Sequence, residues 1–140
     1  MPLDPALLAA YRRALYVVFG EPELVIRIGE PNAELDALLE EYEAQTAAFV
    51  CAANARGERQ SEAENQAAAE LLLKSEFLIG HEWFKGEGRD PEGKWSAEPS
   101  MLVIGLSRKD AERLGFVYRQ NAIVFIEKGC APELVILGTG

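Results

Sequence analysis

The sequence is poor in the residues that most often announce chemistry. It has one histidine, His81, and two cysteines, Cys51 and Cys130. Two isolated cysteines without a CxxC pair supply neither a zinc framework nor a disulfide scaffold. Both read as reduced thiols, which fits a cytoplasmic protein. Cys51 sits in an apolar run and is expected to be buried as a small hydrophobe. His81-Glu82 is followed by Trp83-Phe84-Lys85, so the two-histidine zinc helix is missing. His81 reads as a structural residue in an apolar strand, and no metal site is expected. Gly86-Glu87-Gly88 lacks the strand–helix setting and the later glycine of a phosphate loop. No cofactor is indicated.

Basic clusters are also scarce. Arg12-Arg13 and Arg108-Lys109 are the longest, too little for the counterion release that drives nucleic-acid binding. No apolar run approaches the roughly 20 residues of a membrane span. The first residues, Met-Pro-Leu-Asp, carry no basic region of the kind that opens a signal peptide. Nucleic acid and membrane are therefore not expected partners.

What is present is an ordinary globular composition, 49% apolar and 26% charged in 140 residues. That length suits one domain, residues 1–140. The net charge of −9 is unevenly spread. Residues 1–50 hold nine acids and three bases, residues 51–94 nine and six, and residues 95–140 five of each. An acidic surface of this kind favours solubility.

Asp4-Pro5 opens a helix, with Asp as the cap and Pro at the first position. Leu7, Leu8, Tyr11 and Leu15 form its apolar face. Tyr16–Phe19 and Leu24–Ile28 read as a hairpin around Gly20-Glu21-Pro22-Glu23. An acidic helix spans Ala33–Glu43. Ala47–Ala53 is apolar throughout and reads as a central strand, although its alanines also suit a helix. Ser61 and Glu64 form a capping box for a helix over Glu62–Lys74. Phe77–Phe84 reads as a strand and Gly86–Lys94 as a loop. A strand over Ser100–Leu106, a helix capped by Ser107, and strands over Ala122–Ile126 and Glu133–Leu137 complete the chain. Residues 138–140 read as a loose tail.

Six polar residues stand where apolar elements begin or end. Asn54 follows the central strand and precedes a helix start, a common ligand position in α/β proteins; its plainer role is to cap its own loop. Asn65 lies in the first turn of that helix. Glu98 and Ser100, two apart at a strand start, share a face. They could act as base and assisted donor, or form a buried carboxylate held by backbone N–H groups. Gln120 and Asn121 lead into a strand and offer amide donors and acceptors, or simply brace the junction. Glu98 is the only ionisable member, hence the candidate catalytic residue. The others are candidate ligand-binding residues.

The same residues carry a resemblance. Ala6–Arg12, Val25–Gly29, Asn54, Ser61–Asn65, Gly88–Trp95, Glu98-Pro99-Ser100, Leu114 and Gln120–Ile123 follow one another as in a bacterial family catalogued as domain of unknown function 3293, which the chain resembles over nearly its whole length. The resemblance implies no established activity, but it favours the same polar positions. Two departures stand out. The family shows Thr-Ala-Trp-Asn-Pro where this chain has Cys51-Ala52-Ala53-Asn54-Ala55. It also ends a helix on Gly where this chain has Arg119.

The expected fold is α+β, with a mixed or mostly antiparallel sheet of five or six strands and about four packed helices. The expected function is a pocket for a small polar or anionic ligand, with or without turnover. A regulatory or interaction module, acting through a protein partner or a homodimer, is the alternative.

Overall fold

A computed structural model describes residues 4–51 and 61–137. Its elements are α1 (Pro5–Arg13), β1 (Leu15–Val18), β2 (Leu24–Ile26), α2 (Ala33–Glu41), β3 (Thr46–Cys51), α3 (Glu62–Leu73), β4 (Trp83–Arg89), β5 (Glu98–Ile104), α4 (Arg108–Val117), β6 (Ala122–Glu127) and β7 (Glu133–Ile136). The strands form one sheet in the order β2-β1-β4-β5-β3-β6-β7. Every neighbouring pair is antiparallel. The class is α+β with four helices, as expected, but the sheet has seven strands rather than five or six.

The strand alternation sorts the core onto two faces. On one face Phe49, Leu102, Ile104, Val124 and Ile126 meet Leu35 and Leu39 of α2. On the other, Val50, Met101, Val103, Ile123 and Phe125 meet Leu72 of α3 and Ala111 and Leu114 of α4. β3 and β5 lie at the centre and are apolar on both faces, which explains the unbroken run Ala47–Val50. Each fully buried Leu or Phe contributes about 1.5–3 kcal/mol.

The principal correction concerns residues 77–94. Phe77 does not begin a strand. Ser75 caps a short 3-10 turn over Glu76–Leu78, its hydroxyl accepting from the Phe77 amide at 3.2 Å. The strand starts only at Trp83 and runs through the glycines to Arg89. Gly86 is demanded by packing. A Cβ on Gly86 would lie 2.0 Å from the Val17 carbonyl oxygen of β1. His81 consequently falls in a half-buried turn rather than a strand, with Nδ1 2.9 Å from the Ile104 carbonyl. A carbonyl only accepts, so Nδ1 is the donor. Leu15, read as helical, begins β1 because Ala14 leaves the helix with extended ψ.

Helix ends are sharply built. Arg119 has φ +56°, the left-handed conformation. Its amide donates to Phe116 at 3.0 Å, and the Gln120 amide donates to Gly115 at 2.9 Å. This is a Schellman ending, in which glycine is the favoured residue. Arg119→Gly is therefore expected to stabilise the protein by about 0.5–1 kcal/mol. Arg119→Ala, which keeps the Cβ, should bring no such gain. Denaturant midpoints of the two variants check this.

Candidate functional site

A cavity of about 890 Å³ opens at one end of the sheet. Its floor comes from strand ends brought together by register. Cys51 of β3 pairs with Ser100 of β5. Glu98 pairs with Gly88 of β4, and Gly88 pairs with Tyr16 of β1. Helix α1 supplies Leu7, Ala10 and Tyr11; the β4–β5 connection supplies Trp95, Ser96 and Ala97; and the first turns of α3 supply Glu62, Asn65 and Gln66. The β4–β5 connection is held by Asp90, whose carboxylate accepts from the Glu92 amide at 3.2 Å and the Lys94 amide at 2.7 Å.

Asn65, Glu98, Ser100 and Gln120 all line this one cavity. Asn121 stands behind its wall. It is buried, and its Nδ2 donates to the Tyr11 hydroxyl at 3.3 Å. Asn54 lies outside the described residues. Ser100 does not share its proton with the Glu98 carboxylate. Its hydroxyl donates to the Glu98 backbone carbonyl at 2.9 Å, closing a local turn of strand β5. Cys51, expected in the core, is half-buried and borders the cavity. No disulfide forms among the described residues.

Sequence reading missed the aromatic part of the wall. Tyr11 and Tyr16 read as core residues of a helix and a strand, and Trp95 as the end of a loop. The Tyr16 hydroxyl donates to the Tyr11 carbonyl at 2.5 Å, tying β1 to α1. The Tyr16 ring meets Phe49 edge-on, with centroids 5.4 Å apart. Burial raises the pKa of both phenols, and the nearby Glu98 and Cys51 raise it further. The Asn121 hydrogen bond pulls Tyr11 the other way without overcoming burial. The Tyr11–Asn121 contact was the signal that would have set Tyr11 apart from the core, and it joins residues 110 apart in sequence.

Helix α3 begins as its capping box dictates. The Ser61 hydroxyl accepts from the Glu64 amide at 3.1 Å, and the Glu64 carboxylate accepts from the Ser61 amide at 3.2 Å. Side chains thus already serve donors that would otherwise face an anion. Among the described residues, no three His, Cys, Asp or Glu side chains stand together as metal ligands would. No helix there is long and apolar enough to cross a membrane.

The fold and this cleft define a small antiparallel α+β protein with an aromatic and polar chamber at its sheet end. Residues 50–123 match the family described as protein of unknown function (DUF3293), which is just over half of the chain. The chain belongs to that family. Cys51, Asn65, Trp95, Glu98, Ser100, Gln120 and Asn121 fall inside the matched stretch, whereas Tyr11 and Tyr16 fall outside it. No curated protein and no solved structure matches the chain.

Proposed function

We propose that the protein binds a small polar ligand with an apolar body in the sheet-end cavity, and that Glu98 takes the proton in any turnover there. The observation that carries this reading is the convergence of six segments, separated in sequence, on one chamber of about 890 Å³. That volume is in the range of small-molecule sites, which combine apolar walls with a few placed polar groups. Tyr11, Phe49 and Trp95 offer the apolar surface, and Glu98, Asn65 and Gln120 the polar points. A carboxylate within reach of a bound ligand is a competent general base.

Cys51 provides the test. It borders the cavity, while Cys130 is exposed elsewhere. Native thiol labelling should be slower at Cys51 than at Cys130. Fragments that enter the cavity should slow Cys51 further and leave Cys130 unchanged. A fragment collection that never protects Cys51 would overturn the reading.

A second reading, an interaction module or homodimer, is favoured by one observation. Leu71 on α3 and Phe116 and Val117 on α4 are 60–62% exposed. The two helices are joined by the Tyr118 hydroxyl donating to the Leu71 carbonyl at 3.1 Å. Phe116 and Val117 border one depression with Ile136, and exposed apolar surface of this kind marks interaction sites. A dimer in sedimentation that Phe116→Glu dissolves would support it.

A further inference from the structure

Strand β7 is one edge of the sheet, and its outward groups are not served as those of the other edge are. The Leu137 amide donates to the Asn121 carbonyl at 2.8 Å. Alternation along the register Ile123↔Val135 and Phe125↔Glu133 then aims the backbone groups of Glu133, Val135 and Leu137 at β6. Leu134 and Ile136 aim their amides and carbonyls away from it. No hydrogen bond from the described residues reaches those groups. Elsewhere the chain covers its own edges. The Val25 carbonyl of β2 accepts from the Asn32 side chain at 2.9 Å, and the Arg27 carbonyl accepts from the Glu30 amide at 3.3 Å. At the foot of β7 the Pro132 carbonyl accepts from the Gly29 amide at 2.9 Å.

The rest of β7 also lacks the devices that keep edges apart. Leu134-Val135-Ile136-Leu137 holds no charge and no proline. Ile136 is 43% exposed and borders a depression of about 560 Å³ with Phe116 and Val117 of α4. Apolar side chains thus flank the open backbone groups. Charge does not oppose a like surface there. The net negative charge resides in residues 1–94, whereas residues 95–140, which hold α4 and β7, balance five acids against five bases.

Resting on the interaction reading, we infer that β7 is the seam of a homodimer, in which two copies pair this strand antiparallel about a twofold axis through Val135. The outward groups are symmetric about that residue. Leu134 of each copy then stands opposite Ile136 of the other, and one register satisfies all of them at once. The two sheets become one, with Phe116 and Val117 of both copies beside the seam. A second copy brings together a matching row of groups and a matching apolar helix face, which an isolated extended peptide does not.

Sedimentation of the full chain under reducing conditions, with amide hydrogen exchange on the same samples, makes the test. A dimer is expected, and protection of the Leu134 and Ile136 amides should rise with protein concentration. Ile136→Pro, checked by circular dichroism, removes an outward donor while Val135 and Leu137 keep the ladder to β6. It should weaken dimerisation at least about tenfold. Register is read by cross-linking in a Cys130→Ser background. Val135→Cys should oxidise to a covalent dimer, because a residue on the axis meets its own copy with Cα atoms about 4.5 Å apart. Glu133→Cys should not, since it would stand about 13 Å from its copy. Dimerisation unchanged by Ile136→Pro, with no cross-link through Val135→Cys, overturns the inference and leaves the interaction reading to Phe116→Glu. Protection of both amides that dilution does not remove means that the chain covers its own edge, and also overturns it. A chain that stays monomeric at every concentration overturns the inference and the homodimer part of that reading together, leaving the edge to a foreign strand. If Ile136→Pro does not fold, the cross-link and the exchange decide.

Discussion

Gly86→Ala should cost at least about 3 kcal/mol of stability, the upper end of what overpacking costs. The new Cβ would lie 2.0 Å from the Val17 carbonyl oxygen, 3.1 Å from the Val17 carbonyl carbon and 3.2 Å from the Val18 Cα. All three are backbone atoms of β1, so no side-chain rotation relieves the clash. Strand β1 would have to separate from β4 across the register Val18↔Gly86, Val17↔Glu87 and Tyr16↔Gly88. Tyr16 and the attached end of α1 would move with it, and the cavity would lose that wall. Gly88→Ala, two residues on, is the control. Its Cβ meets nothing within 4 Å, so it should cost less than about 1 kcal/mol. Urea midpoints at unchanged slope measure both. Equal stability of Gly86→Ala and the parent would mean that β1 and β4 are not paired in this register.

The same two glycines show where sequence reading stopped. Gly86, Gly88 and the charged residues around them look like a loop, because glycine and charge weaken a strand. They are a strand because a neighbouring backbone needs the space at Gly86, and nothing in residues 83–89 states that. The apolar run Phe77-Leu78-Ile79 made the opposite error. Its hydrophobicity serves a capped 3-10 turn that buries Leu78 and leaves Ile79 78% exposed. Elements with their own local chemistry were legible. The Asp4 cap, the Ser61–Glu64 capping box and the Ser107 cap each set a helix start as read. The central strand was legible from its unbroken apolar run, and register then gathered Cys51, Glu98 and Ser100 at one end. Tyr11 and Asn121 were not legible as a pair. Their contact spans 110 residues and depends on α1 crossing the end of the sheet. Arg119 is a mixed case. The missing family glycine was visible, but the positive φ that makes it costly required the structure.

Glu98→Gln should leave stability nearly unchanged, within about 1 kcal/mol, while weakening the protection of Cys51 by fragments that enter the cavity at least about tenfold and abolishing any turnover. The substitution keeps the shape of the side chain and removes its charge. Glu98 is half-buried at the first position of β5, where its backbone pairing with Gly88 does not depend on the carboxylate. Glu98 also lines the cavity, beside its phenols. Its negative charge opposes ionisation of both Tyr11 and Tyr16 and so raises their pKa values. Removing it should let Tyr11 ionise at lower pH, with burial still holding it above the ordinary phenol range. Ultraviolet titration reads this shift without any ligand, and the same titration in a Tyr11→Phe background assigns it. Two outcomes would count against a functional Glu98. One is a large loss of stability with binding intact, which would make the carboxylate a brace for the sheet end. The other is an unmoved tyrosine titration, which would place Glu98 away from the phenols that form the cavity wall.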